Sequence, residues 1–288
     1  MGSQKKVAWR VAGRIILLLI AYLFVVVVLQ FLGADFMGID LAKFQDLTLQ
    51  ENLIMQCLGF IGTFGVVFLF RRYLDRKSFG SLGFSFKDRW RDLLVGGALA
   101  AVLIGVGTLV IITSGDVSFT YNLLDWNSLG YAWMLFLLVA LCEEVFVRGY
   151  VLNNLLSVTN RYLALVISSI IFMLMHGLNP NMSGLGWLNL FLAGLLLGST
   201  YVYTQNLWFP ISLHLFWNFI QGSVLDYNVS GLDINSILSF EFTSVTSLNG
   251  GKFGFEGSII CTILSLIAII GIHVYFLRKE KSKQDRAI

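Results

Sequence analysis

The chain has 288 residues, 57% hydrophobic and only 13% charged, with a formal net charge of +3 and a mean hydropathy of +0.77. A soluble globular chain carries about 45–50% apolar and about 25% charged residues, so a water-soluble globule is excluded, and the net charge is too small to point to nucleic acid. Long apolar runs alternate with short clusters of Lys, Arg, Asp and Glu, the pattern of repeated bilayer crossings of about 20 residues each. The expectation is an all-α polytopic membrane bundle without a separate soluble domain. It divides into amino-terminal spans over 1–128, a core over 129–226, and a polar loop, last span and basic tail over 227–288.

In chain order, eight spans are expected near 11–32, 52–70, 93–113, 129–155, 161–179, 184–204, 209–226 and 257–277. The first follows Lys5, Lys6, Arg10 and Arg14. It is longer than a cleavable signal core of about 7–15 residues and no small-residue cleavage site follows, so it is read as a retained helix. The fourth holds Glu143, Glu144 and Arg148. The seventh follows Pro210, which suits a first helical turn because proline has no amide proton to leave unpaired there. Cys57, Cys142 and Cys261 lie scattered in apolar runs and read as small packing residues, with no disulfide or Cys-x-x-Cys spacing.

Lysine and arginine set the orientation. The amino terminus, the segment 71–91 (Arg71, Arg72, Arg76, Lys77, Lys87, Arg89 and Arg91) and the tail from Arg278 are basic. The loops near 33–51 and 114–128 instead carry Asp35, Asp40, Asp46, Asp116 and Asp125. An even number of spans puts both termini on one side, which the positive-inside rule makes cytoplasmic, and leaves 227–256 external.

An ionised side chain at the bilayer centre costs a few kcal/mol even on insertion scales, and such groups face a protein interior or a cavity. Glu144 and Arg148 are four apart on a helix and can pair. A buried ion pair accounts for these two, but Glu143 points about 100° away and has no partner at i+3 or i+4. The chain has three histidines. His176 ends the run Phe172-Met173-Leu174-Met175-His176, and His214 lies one turn before Asn218 on the same helical face. His273, beside the basic tail, reads as structural or interfacial.

These groups allow hydrolysis. A desolvated glutamate is a useful base for water. His176 orients that water or holds a metal that acidifies it. His214 and Asn218 are donors for the oxyanion of a tetrahedral intermediate. Glu144 with Arg148 then fixes the active helix and tunes Glu143.

Glu-Glu-x-x-x-Arg, then Phe-x-x-x-His, then His-x-x-x-Asn, together with Phe191-x-x-Gly194-Leu195 and Leu207-Trp208-x-Pro210-Ile211, resembles the CPBP family of intramembrane proteases. That family includes the type II CAAX prenyl endopeptidases and the bacterial Abi or bacteriocin-immunity proteins, and the resemblance covers 129–225. It implies that Glu143 activates water with His176 while His214 and Asn218 hold the oxyanion. It also implies a cavity open to the cytoplasmic leaflet, where prenylated tails or other peptides enter from the membrane. The family commonly has an aromatic directly before the arginine. Here Val147 holds that place and Phe146 lies one earlier, which would alter the pocket wall. Family members are described as metalloproteases, so Glu143, His176 and His214 are a ligand set for a divalent ion such as zinc. A glutamate–histidine pair is also physically sufficient without one.

The expected spans leave one tension, since they place Glu143 and His176 about 10 Å apart in depth at 1.5 Å per residue. A fourth span running on past Tyr150 toward Leu156 would reduce it. Motifs of the rhomboid, aspartyl and site-2 zinc types are absent. A proton-coupled transporter would use buried Glu and His as a relay, but it predicts inverted repeats that the sequence does not show. A non-catalytic immunity or scaffold protein would tolerate loss of the motif side chains, and none is lost. The short basic loops point to a bacterial plasma membrane, with lipids and a peptide or lipidated protein as partners.

Overall fold

The computed structural model describes residues 2–39, 47–114, 117–123, 125–231, 236–242, 244 and 246–285. Asp40, Asp46 and Asp116, used above to place the external loops, lie outside them. The described chain is an all-α bundle. It consists of α1 (Gly2–Met37), α2 (Leu49–Leu69), α3 (Trp90–Thr113), α4 (Trp126–Glu143), the single turn α5 (Asn153–Leu156), α6 (Arg161–Met175), α7 (Gly184–Thr204), α8 (Trp208–Phe219) and α9 (Ile259–Asp285). α4 and α5 form one rod, because the backbone between them stays helical with wider π-type turns over Glu144–Leu152. Shorter π-type stretches prolong α2 over Phe70–Leu74 and α8 over Ile220–Val224.

Sequence-local hydrogen bonds explain where several helices begin. Thr48 and Glu51 form a reciprocal capping box at the start of α2, satisfying amides that the first turn leaves unpaired. Asp125 accepts from the Asn127 amide at 3.0 Å and Asn160 from the Leu163 amide at 2.9 Å, starting α4 and α6. Pro210 sits in the first turn of α8, as its missing amide proton predicts.

Of the eight rods, five are long and apolar enough to cross a membrane by themselves: Gln4–Met37, Leu49–Leu74, Trp90–Thr113, Gly184–Thr204 and Ile259–Asp285. The expected spans at 129–155, 161–179 and 209–226 do not meet that description. They are the ones with the motif residues, and their polar groups are buried against protein rather than lipid. α6 also stops at Met175, short of 179, with His176 as its cap.

One feature has no counterpart in the sequence reading, a two-stranded antiparallel sheet of β1 (Val117–Tyr121) and β2 (Leu238–Phe242), with Phe119 opposite Phe240. It ties the segment after α3 to the segment before α9, so both lie at one end of the bundle. At the other end, the Leu207 amide donates to the Gly83 carbonyl at 3.0 Å and Arg161 pairs with Glu280 at 3.0 Å. The basic segments thus gather at the end away from the sheet.

Two glycines let helices approach closely. A Cβ on Gly194 of α7 would lie 2.8 Å from the Ser169 Cα of α6, and one on Gly96 of α3 would lie 2.8 Å from the Phe209 carbonyl oxygen of α8. Small residues at such contacts allow backbone-to-backbone packing. They set the positions of α6 and α8, which carry His176 and His214.

Candidate active site

Glu143 is the last residue of α4, just before the π-type turns, and its side chain retains 20% exposure. π-type turns inside α-helices occur often at functional sites. The early end of α6 places His176 beside it. His176 Nε2 lies 3.6 Å and His214 Nε2 3.9 Å from the same oxygen, Glu143 Oε2. The expected depth mismatch is absent, because the α4–α5 rod runs on to Leu156 and α6 is short.

The other ring nitrogens are committed. His176 Nδ1 donates to the Phe172 carbonyl at 2.9 Å, and His214 Nδ1 lies 2.9 Å from Glu144 Oε1, a carboxylate that accepts. Each ring therefore turns its Nε2 toward Glu143. Glu143 Oε2 is buried and makes no hydrogen bond among the described residues.

Glu144 is fully buried and pairs with Arg148 at 2.7 Å, as its spacing predicts. The same oxygen, Oε1, takes both Arg148 and His214. Glu144 is thus more than the partner of an arginine, since it also fixes the His214 ring. Arg148 reaches the Gly194 carbonyl at 3.3 Å and lies over the Phe172 ring at 4.3 Å from its centroid. That stacking explains the phenylalanine of Phe-x-x-x-His, whose ring also stands 4.7 Å from His176 and 6.2 Å from His214. Its role was not foreseen, although its spacing one turn before His176 was the available signal.

Glu143, His176, His214 and Asn218 all line one cavity of about 910 Å³. Asn218 is buried, and its carboxamide makes no hydrogen bond to protein among the described residues. The cavity walls include Leu135, Phe136, Val139 and Leu190, with Tyr22 and Gln56 from α1 and α2. A second lining carboxylate was missed in the sequence. Glu256, assigned there to the external loop, is buried and accepts from Trp217 Nε1 at 3.0 Å and from the Ser230 hydroxyl at 2.6 Å. No local motif announces it.

Some expectations change. Val147 and Phe146 are both fully buried and neither lines the cavity, Phe146 packing on Tyr22 at 4.5 Å, so the departure from the family's aromatic leaves the pocket wall untouched. Cys57 is exposed and so does not pack in the core, unlike Cys142 and Cys261. His273 stays away from the site and hydrogen-bonds the Tyr203 hydroxyl. Of the exposed residues lining the cavity, Thr48 and Gln50 stand at the end of the bundle away from the basic segments, and Leu178 lies in the turn after α6. The resemblance had put the opening at the basic end.

For a metal, the test is whether Glu143, His176 and His214 gather as ligands. Among the described residues there is no group of three or more His, Cys, Asp or Glu placed to hold an ion. The three do not fit a metal site as they stand.

Residues 125–220 match the family model for type II CAAX prenyl endopeptidase Rce1-like proteins. No curated protein matches the chain. The match supports the CPBP, or CAAX-protease, family read from the motifs, and with it a protease. Together with the apolar helices it makes this a membrane protein.

Proposed function

We propose that the protein is an intramembrane endopeptidase in which Glu143 and His176 activate water against a peptide bond of a membrane-associated or lipidated peptide. The observation that carries this reading is the convergence of His176 Nε2 and His214 Nε2 on Glu143 Oε2 inside a protein-lined cavity. A water between them donates one proton toward Glu143 and the other toward His176, which leaves an oxygen lone pair for the carbonyl carbon. As the water oxygen bonds to that carbon, its proton passes to Glu143. The tetrahedral oxyanion is met by the Asn218 amide and by His214. For this, His214 carries protons on both nitrogens, and Glu144 offsets the added charge. Collapse breaks the carbon–nitrogen bond, the proton on Glu143 goes to the leaving amine, and the second water proton passes from the new carboxylic acid to that amine, so the products are a carboxylate and an ammonium group. No step passes through a metal.

Glu144 and Arg148 act through position. They hold His214 at its Nδ1 and the Phe172 ring under His176. The bilayer expected from the short basic loops is a bacterial plasma membrane. The test compares peptides recovered from membranes expressing the wild type with those expressing Glu143→Gln. New peptide termini present only with the wild type support the proposal, and identical sets of termini contradict it.

A further inference from the structure

We infer that the cavity takes its substrate from the extracytoplasmic side, so that the peptides cut are exported or membrane-anchored segments presented there rather than the carboxy-terminal tails of cytoplasmic lipidated proteins. This deepens the protease reading above and rests on it for the word substrate, but the direction of access stands on separate observations.

The first is where the cavity runs. Along the α4–α5 rod its wall extends from Ser128, near the first turn, to Glu143, about 22 Å at 1.5 Å per residue. Its exposed lining residues Thr48 and Gln50 belong to the start of α2, at the same end as Ser128, and exposed Leu178 lies in the turn after α6. None of the residues lining it comes from the segments 71–91, 156–161 or 205–208 at the opposite end.

The second is what closes that opposite end. Between Glu143 and Asn153 the rod is fully buried over Glu144–Leu152. Below it, buried Arg71 donates to Asn153 at 2.9 Å and to the Ser81 hydroxyl at 2.9 Å. Asp75 takes Arg14 at 3.0 Å and Asn154 at 3.1 Å. Tyr201 ties Asn153 to the Leu82 carbonyl at 2.8 and 2.9 Å. A network with this many charged and paired groups is costly to open, because each separated partner is left buried without its hydrogen bonds.

The third is charge. Of the 20 Lys and Arg residues, all but Arg148, Lys43 and Lys252 fall in the first turns of α1, in 71–91, at Arg161 or from Arg278 onward. Those segments share the closed end. The loops at the open end are short enough for the Lys and Arg rule to apply, so the closed end is cytoplasmic and the open end is not. Among the described rim residues that line the cavity there, none is charged, and Gln50, Asn52 and Asn179 carry carboxamides able to hydrogen-bond a peptide backbone above the apolar wall.

The experiment labels single cysteines in an otherwise cysteine-free chain, expressed in bacterial spheroplasts, with a membrane-impermeant maleimide. Gln50→Cys and Asn179→Cys report the rim, and the exposed Ser157→Cys reports the opposite end. Each variant is first shown to purify as a monodisperse protein in detergent. The inference expects both rim positions to react at least tenfold faster than Ser157→Cys in intact spheroplasts, with the difference lost after lysis. Rim labelling no faster than that of Ser157→Cys overturns it. Because labelling needs no cleavage, its outcome separates the direction of access from the protease reading. Rim labelling without Glu143-dependent termini would leave the opening in place and remove the protease.

Discussion

Glu144 oxygen Oε1 is shared by Arg148 and His214, and this sharing decides how the motif residues depend on one another. Replacing Arg148 by alanine leaves a fully buried carboxylate without its cation, a change that costs about 3–5 kcal/mol in buried pairs. Arg148→Ala is therefore expected to lower the thermal midpoint in detergent sharply. Removing both charges in Glu144→Leu/Arg148→Met is expected to recover much of that stability, because an apolar pair of similar volume carries no desolvation cost. The double variant should still lose cleavage, since His214 no longer has a carboxylate on Nδ1. If the double variant melted as low as Arg148→Ala, the loss would come from packing rather than from the stranded charge. The helical spacing of Glu144 and Arg148 made their pairing legible in the sequence. The His214 contact was not legible, because nothing in one sequence says which faces of α4 and α8 meet.

The helices reach these contacts through close packing and through where they stop. α6 ends at Met175, so His176 is a cap residue near mid-bundle rather than a residue farther along a full span. A longer apolar run to 179 was the natural reading, because Gly177 and Leu178 break no hydrophobic pattern. α7 approaches α6 at Gly194, where a side chain would meet the Ser169 backbone at 2.8 Å. Gly194→Leu is expected to destabilise by about 1–3 kcal/mol, as overpacking does, and to shift α6 away from Glu143. Circular dichroism melting together with cleavage rate checks this. A variant with unchanged melting and unchanged rate would show that the contact does not position His176. The small sheet lay beyond sequence reading for a different reason. Its two strands are separated by more than 100 residues, and short strands in polar loops carry little periodic signal.

At the scale of the whole molecule, hydropathy and charge were enough for an all-α membrane bundle, and motif order was enough for the family resemblance that the match over 125–220 supports. The direction of the opening needed the structure, since it depends on which loop residues line the cavity. Metal dependence also belongs at this scale, because an ion would bind α4, α6 and α8 together and raise their joint stability. The expectation is that exhaustive chelation leaves both the rate and the melting midpoint unchanged. A midpoint that falls on chelation and recovers with added zinc would return Glu143, His176 and His214 to the role of ligands. The claim on which the rest depends is that the Glu143 carboxylate activates the attacking water. The direct measurement is the rate at which purified, monodisperse Glu143→Gln in lipid nanodiscs hydrolyses a peptide that the wild type cuts. Glutamine keeps the shape but cannot take a proton, so the rate should fall by at least about 10²-fold, in line with the loss of a general base. Cleavage at the wild-type rate by that variant would contradict the account.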